Sequence, residues 1–328
     1  MRRLRNALLL TWFLGSMLGL ASAETRQQAL IIDGQNNHSD WPMITLMLRA
    51  YLEETELFEV DIARLKYLWK AEKGQEFLPL AGLGDDFVLE KAPMTDPEFA
   101  PDFSKYDLVI SNLGHNAANW PAQTRKSFED YVAGGGGFVA VHAANNSFPL
   151  WAEYNRMIGI GGWGGRTEKS GPYVFYNALG NRVVDESPGK GGTHGPQNEF
   201  LITLREPHPI TEGLPETWKH AKDECYSKLR GPAENLLVLA TASDTPALQE
   251  AGRNEPMLMT IAYGRGRVFH TTLGHSVESC SGVGFITTFQ RGAEWAASGS
   301  VTLPVPEDFP GTDASTARAF DFDALRGE

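Results

Sequence analysis

The stretch from Gly134 to Ser147, GGGGFVAVHAANNS, constrains the fold of this chain more than any other. Its glycines precede a short apolar run, Phe138 to Val141, and His142 follows that run directly. An apolar run of this length, bounded by glycines, is typical of a parallel strand buried on both faces. Open parallel sheets bind ligands beyond the carboxyl ends of their strands. The pattern therefore places His142 where such a sheet holds a reactive group, although a lone histidine at a strand end can equally be structural.

The rest of the chain alternates short apolar runs with segments of helical spacing. Strands are predicted at residues 28–33, 58–62, 106–112, 138–141, 173–179, 200–204, 236–242, 256–263 and 267–273. Helices are predicted from Trp41 onward and at residues 121–133, 149–158 and 285–297. This alternation predicts a flavodoxin-like α/β fold, doubly wound around a mostly parallel sheet with the 138–141 strand at its centre. The turn Gly264-Arg265-Gly266 predicts a hairpin, and residues 63–105, with weak periodicity, are predicted as an insertion or long surface loop.

The first 23 residues have the pattern of a signal peptide. Three arginines precede the apolar run at residues 7–20, and Ala21-Ser22-Ala23 fits the small-residue cleavage rule. An uncleaved membrane anchor is the alternative, but the run is short for a membrane span. We expect an exported chain, periplasmic in a Gram-negative host and without membrane attachment after cleavage. Residues 24–303 would form the domain and residues 304–328, which are first proline-rich and then acidic, a C-terminal tail.

Composition restricts the partners of the chain. Its formal net charge of −12 argues against a nucleic-acid partner, because no basic stretch offsets the repulsion between phosphates and acidic side chains. Two cysteines, Cys225 and Cys280, could pair in an oxidising compartment, but their spacing does not decide whether they do. A homo-oligomer stays open as well.

Histidines follow several of the predicted strands. They are His38, His115, His142 and His275, and they represent four of the eight histidines in the chain. If the four strands are parallel neighbours, these loops converge on one crevice. Imidazole titrates near neutrality and also ligates metals, so the cluster suits acid/base chemistry or a divalent metal. No local zinc signature is present, so any metal site would be assembled by the fold. We interpret His208 and His220 as structural, and His194 as a candidate to cover the crevice.

Several motifs resemble one known family, the ThuA-like or trehalose-utilisation proteins. The resemblance spans residues 28–298 and rests on motifs listed here: the first-strand turn with His38 and Trp41, GGGFVAVHAA around His142, Phe148 with Trp151, HPITEGLP from His208, the DExY pattern from Asp223 to Tyr226, and GRGRVFHTTLGH ending at His275. It implies a class I glutamine amidotransferase-like fold. Relatives with glutaminase activity carry a cysteine nucleophile on the turn after the central strand, where this chain has His142. Because imidazole cannot replace a thiolate in a stable thioester, glutaminase activity by the usual route is excluded.

The family's association with disaccharide catabolism implies a carbohydrate substrate. The leading hypothesis is an enzyme that hydrolyses, eliminates from or isomerises a glycoside or oxidised (keto) sugar, with His142 as general base and His275, Glu224 or Asp223 as its partner. Tryptophans near the presumed rim could stack on sugar faces, although any one of them could instead be a core residue. The substrate-binding candidates are Asn36, His38, His115, Trp41, Trp151 and Trp163.

Two other hypotheses stay open. One is a non-catalytic periplasmic sugar-binding or accessory protein, and the other is a metal-dependent hydrolase that uses the same histidines. In each case we expect His38, His142 and His275 within about 10 Å of a shared pocket, with Glu224 facing the same space.

Overall fold

A computed structural model describes residues 26–243 and 245–326 of the chain. The predicted signal peptide lies outside these residues, and the first strand begins at Gln27. Within the described ranges, no helix is both long and apolar enough to cross a membrane.

Fourteen strands and six α-helices are found among the described residues. The strands are β1 (Gln27–Gln35), β2 (Phe58–Trp69), β3 (Val88–Glu90), β4 (Leu108–Ser111), β5 (Gly137–Val141), β6 (Tyr173–Tyr176), β7 (Arg182–Asp185), β8 (Thr193–His194), β9 (Asn198–Leu204), β10 (Thr217–Asp223), β11 (Tyr226–Ser227), β12 (Leu236–Ala242), β13 (Glu255–Tyr263) and β14 (Gly266–Thr271). The helices are α1 (Trp41–Glu53), α2 (Ala122–Ala133), α3 (Ala152–Ile158), α4 (Pro246–Glu250), α5 (Val277–Cys280) and α6 (Val283–Ser298).

Ten strands form one sheet in the order β10-β9-β12-β13-β14-β5-β4-β1-β2-β3. The pairings from β14 to β3 are all parallel, and those from β10 to β14 are antiparallel. The predicted α/β fold with a large, mostly parallel central sheet is therefore confirmed, as is the hairpin between β13 and β14. The sheet also continues on one side through four strands, β13, β12, β9 and β10, and their antiparallel pairing was not predicted.

The strand β5 lies where the prediction placed it, between β4 and β14. Its side chains alternate between two cores: Val139 and Val141 contribute to one, Phe138 and Ala140 to the other. The first core includes apolar residues of α1 and α6, and the second includes residues of α2 and α3. Helices therefore cover both faces of the sheet, which explains why β5 is apolar at every position.

Two predicted segments are more ordered than expected. Residues 63–105 contain the second half of β2, a short 3-10 helix at Gln75–Ala81 and the edge strand β3, where a long loop or insertion was predicted. The segment after residue 303 lies against the domain: Thr316 accepts a hydrogen bond from the Val283 N–H, and the Arg318 N–H donates to Ser281. Cys225 and Cys280 are both buried and do not form a disulfide with each other.

Candidate functional site

Three imidazoles and one carboxylate meet at the carboxyl edge of the parallel strands. We call His38, His142, His275 and Glu224 the histidine site. The ring centroids of His38 and His142 are 5.0 Å apart, those of His38 and His275 are 4.4 Å apart, and those of His142 and His275 are 5.5 Å apart. These residues follow β1, β5 and β14, which belong to one parallel block, so their loops emerge at the same edge. The three rings therefore contact one another at this edge of the sheet.

Glu224 completes the histidine site from the opposite half of the sheet. It follows β10 directly and is 7% exposed. Its Oε1 lies 3.1 Å from His275 Nε2 and 3.7 Å from His194 Nδ1, and its Oε2 lies 3.7 Å from His142 Nε2. The carboxylate therefore faces the shared space, as expected from the sequence.

The sharp turn after β5 fixes the orientation of His142. Its φ of 44° lies in the left-handed region, which is costly for a residue with a side chain and is found most often at functional sites. Its Nδ1 lies 2.6 Å from the carbonyl oxygen of Thr272, and a carbonyl can only accept, so Nδ1 carries the proton. In the neutral ring Nε2 then holds a lone pair. That atom is buried and has no hydrogen-bond partner among the described residues.

The surroundings keep two of the rings neutral. Burial lowers the pKa of His142 to about 4, against the opposing charges of Asp223 and Glu224. Burial, reinforced by His142 and His275, holds the pKa of His38 far below its ordinary value. For His275, burial also favours the neutral ring, but the hydrogen bond and charge of Glu224 outweigh it and raise the pKa. Neutral imidazole is the form that accepts a proton or binds a metal.

The carboxylates of Glu224 and Asp223 have different surroundings. Burial works to raise the pKa of Glu224, but its hydrogen bond to His275 and the nearby His142 outweigh this and lower it. Asp223 is fully buried, and its oxygens accept from His220 Nε2 (3.0 Å) and from the backbone N–H groups of Glu224 (2.8 Å), Gly274 (2.8 Å) and His275 (3.1 Å). The oxygens of Asp223, which was predicted as a catalytic residue, are thus engaged by the two neighbouring loops.

An aromatic wall borders the histidine site. Tyr226 is buried with its ring centroid 4.3 Å from that of His142, and its hydroxyl accepts from Asn146 Nδ2 at 3.2 Å. The partly exposed Trp163 packs on Tyr226 at 4.8 Å and on His194 at 5.8 Å. Trp163 is thus placed beside the site, and His194 borders the crevice through its contact with Glu224.

The other two tryptophans predicted to bind substrate are core residues. Trp41 has no exposed surface and its indole N–H donates to the Trp69 carbonyl at 3.1 Å. Trp151 is 4% exposed, lies in the core under α2 and α3, and donates to Glu129 at 2.7 Å. Their ring faces are covered by protein, so the prediction that they stack on a sugar is wrong.

Asn36 and His115 support the loop of His38. Asn36 is buried, donates to the Asn112 carbonyl at 3.2 Å, and accepts from the His38 N–H at 3.0 Å. The His115 N–H donates to Asn37 Oδ1 at 2.7 Å, and Asn37 Nδ2 lies 2.9 Å from His38 Nε2. Asn36, predicted to bind substrate, thus holds the backbone of the His38 loop through both ends of its amide. The contacts of Asn37 connect the His115 backbone to the site.

Comparison with known proteins identifies the family. The family model named ThuA, described as trehalose utilisation, matches residues 70–296. The chain belongs to the ThuA family. A putative ThuA-like protein from Parabacteroides merdae ATCC 43184 is 38% identical, with a TM-score of 0.77, over 90% of this chain and 98% of that one. A putative ThuA-like protein from Bacteroides uniformis ATCC 8492 is 19% identical, with a TM-score of 0.45, over 85% and 95%. No curated protein matches the chain.

Two residues of this ThuA protein were not among the predicted candidates: one contacts the histidine site, and the other supports the loops around it. Tyr226 is signalled only by the DExY pattern, because nothing local predicts its contact with His142. Arg166 is 2% exposed and donates to the carbonyls of Gly162 (2.7 Å) and Ser147 (2.9 Å) and to Asn155 Oδ1. It joins the loop of Trp163 to the turn after β5, and no sequence signal predicts such long-range contacts.

The donor set of the ThuA site suits a divalent metal ion. One donor atom each from His38, Glu224 and His275 lies within 4.8 Å of the others. Two imidazoles and one carboxylate bind zinc and other first-row divalent ions. The lone pair of His142 stands beside this set and stays available as a base.

Proposed function

We propose that this ThuA protein is a carbohydrate-processing enzyme that acts on a glycoside or a keto sugar, with His142 as general base. The observation that carries the proposal is the buried Nε2 of His142, whose lone pair is fixed by the Nδ1–H donated to Thr272 and faces Glu224 across 3.7 Å. A general base needs such an unprotonated, oriented atom beside its substrate. The family description, trehalose utilisation, supports a sugar as that substrate.

The other residues of the site fit the same chemistry. In hydrolysis, His142 would remove a proton from a water molecule. In elimination or isomerisation, it would remove a proton from the carbon beside a sugar carbonyl. If no cation is bound, the hydrogen-bonded pair of Glu224 and His275 would bind the hydroxyl or leaving-group oxygen on the other side. Trp163 would pack against the sugar ring, since its indole is partly exposed beside the site.

A divalent cation held by His38, Glu224 and His275 is part of the proposal. The three donors are close enough to share an ion, and burial holds the pKa of His38 low enough for its ring to be neutral. Binding through His38 Nε2 would displace the Asn37 amide that lies 2.9 Å from it. Such a cation would supply Lewis acidity to a sugar carbonyl or hydroxyl oxygen. His142 would then act on the carbon or water next to that oxygen.

Metal titration tests the cation. We expect Zn²⁺, Mn²⁺ or Co²⁺ to bind the EDTA-treated protein with a stoichiometry of one in isothermal titration calorimetry. His38→Ala should abolish this binding, whereas the matched control His208→Ala should not, because His208 packs on Trp295 away from the site. Equal binding by the His38→Ala variant would remove the cation from the proposal and leave metal-free acid/base chemistry.

Replacing His142 tests the catalytic role. With a panel of disaccharides and their keto forms, followed by NMR, His142→Gln should lower kcat by about 10²-fold or more while binding and thermal stability change little. If His142→Gln only weakens sugar affinity and no wild-type turnover is found, the protein is a binding protein. Full turnover by the variant would show that His142 is not the base.

We also propose that the protein works outside the cytoplasm. The basic, apolar and small-residue pattern of residues 1–23 supports this. Mass spectrometry of the protein from its own host should give a chain that begins at Glu24, and an intact Met1 would refute it.

A further inference from the structure

A cavity of about 490 Å³ lies next to the loop that brings His194 to the histidine site. Its lining includes Tyr173, Thr193, three cations (Lys190, Lys228 and Arg253) and one carboxylate (Asp185), and we call it the cationic cavity. The chain as a whole carries a net charge of −12, so this concentration of positive side chains runs against its overall composition.

Two guanidinium groups lie near the ring of Tyr173: Arg253 lines the cavity, and Arg230 lies behind that ring without lining the cavity. The Cζ of Arg230 lies 4.0 Å from the ring centroid of Tyr173, and the Cζ of Arg253 lies 5.7 Å from it. Arg230 is fully buried and donates to the carbonyls of Gly171 and Gly189, each at 2.8 Å. The Nη2 atoms of both arginines are buried without a hydrogen-bond partner among the described residues. Unused guanidinium donors are costly to bury unless an acceptor reaches them.

The acidic groups nearby compensate only part of the positive charge of these arginines and lysines. Arg253 donates to Glu255 at 2.8 Å, and Asp185 accepts from the Ser187 N–H at 2.8 Å. Glu168 accepts from the Gly189 N–H at 3.2 Å. In the described part of the chain, neither Arg230 nor the two lysines has a carboxylate oxygen within 4.0 Å, whereas Arg253 pairs with Glu255. The cavity therefore offers ammonium groups and a guanidinium edge to an incoming anion.

We propose that the cationic cavity binds a phosphate-sized oxyanion, either free or as the phosphate group of a sugar ester. Planar guanidinium donors and flexible lysines are the side chains that recognise phosphate oxygens. Lys190 and Lys228 would reach the anion from the exposed rim, and Arg253 from the wall. The site is separate from the histidine site and does not depend on the chemistry proposed there.

The cavity and the histidine site share one loop. Gly192 and Thr193 line the cavity, and the next residue, His194, lies 3.7 Å from Glu224. The same loop accepts a hydrogen bond from the Trp163 N–H through the Gly191 carbonyl at 2.8 Å. An anion in the cavity would therefore hold the loop that borders the histidine site.

Calorimetric titration of the full chain with inorganic phosphate, and separately with glucose 6-phosphate, tests the proposal at constant ionic strength in chloride. We expect saturable binding of phosphate. The double variant Lys190→Gln/Lys228→Gln, whose two side chains are exposed, should weaken it about tenfold or more. Arg253→Lys keeps the charge but removes the planar donors, and it should weaken binding as well. Tighter binding of the ester than of phosphate would identify a sugar phosphate as the ligand.

The matched control is Lys91→Gln/Lys105→Gln, which changes the net charge equally at two exposed lysines outside the cavity. It should bind phosphate like the wild type. His38→Ala should also keep phosphate binding, which separates this site from a metal-bound phosphate at the histidine site. No saturable binding by the wild type, an equal loss in the control, or loss in His38→Ala would each overturn the proposal.

Discussion

Buried histidines whose rings are neutral are a common feature of the residues in and around the histidine site. His270, which the sequence patterns did not single out, is fully buried on β14. Its Nδ1 donates to the Ile158 carbonyl at 2.8 Å and its Nε2 accepts from Asn145 Nδ2 at 3.0 Å. Both ring nitrogens are satisfied only while the ring carries one proton. His270 thus ties β14 to the turn after β5, and it does so only as a neutral ring.

The protonation of His270 predicts acid sensitivity of the fold. Burial lowers its pKa to about 4, below the ordinary value of 6.5, so the unfolded chain binds this proton more readily than the folded one. Stability from this residue is complete above pH 6.5 and is lost as the pH falls toward 4. Between pH 7 and pH 5, we expect His270 to reduce the free energy of unfolding by about 2 kcal/mol, measured by urea denaturation.

The variant His270→Gln isolates this contribution from those of the other histidines. It should be less stable at pH 7, but its free energy of unfolding should change less between pH 7 and pH 5 than that of the wild type. Identical pH dependence in the two proteins would contradict the prediction.

At the scale of elements, Asp223 joins the edge strand β10 to the loop after β14. Its carboxylate accepts from the backbone N–H groups of Glu224, Gly274 and His275. One side chain therefore holds the backbone of both Glu224 and His275. Hydrogen bonds to a buried charge contribute more than those between neutral groups. The loop that carries His275 therefore depends on a strand at the far edge of the sheet.

Asp223→Asn should both destabilise the fold and impair the histidine site. The amide replaces one accepting oxygen with a donor that faces N–H groups, so we expect a loss of about 2–4 kcal/mol in urea unfolding. Metal affinity should fall because the His275 backbone is released. Asp61→Asn, which removes a surface carboxylate bonded to the Tyr106 hydroxyl, is the control. Wild-type stability with lost turnover would instead return Asp223 to a catalytic role.

At the scale of the whole molecule, the parallel half of the sheet was predictable from the sequence, and so was the meeting of the histidines that follow its strands. Apolar runs that end in histidine require only that the strands be parallel neighbours for His38, His142 and His275 to meet. The burial of Trp41 and Trp151 was not predictable, because a tryptophan after a strand has the same local pattern in a core as at a rim. Tyr226 and Arg166 depend on contacts between distant segments, which no periodicity records.

The C-terminal segment, residues 304–326, shows the same limit on a larger scale. Its composition predicts a tail, yet Phe309, Phe320 and Phe322 pack against the core that contains α1 and α6. Ring centroids are 5.5 Å apart for Phe309 and Trp218, and 4.9 Å apart for Phe322 and Phe77. The apolar residues of this acidic segment are few, and their spacing has neither a helical nor a strand period. Only the folded domain therefore shows where they pack.

Deleting residues 304–328 should therefore weaken the domain itself. Three partly buried phenylalanines at about 1 kcal/mol each give an expected loss of about 3 kcal/mol in the free energy of unfolding, measured in urea. Deleting only residues 324–328 keeps the phenylalanines and should change stability by less than about 0.5 kcal/mol, since Arg326 makes surface ion pairs and a single ring contact, with Phe77, among the described residues. The backbone bonds of Thr316 and Arg318 to Val283 and Ser281 also brace the chain shortly after His275, so the longer deletion should weaken metal binding too. Equal stability of the two truncated proteins would show that the segment lies on the domain without stabilising it.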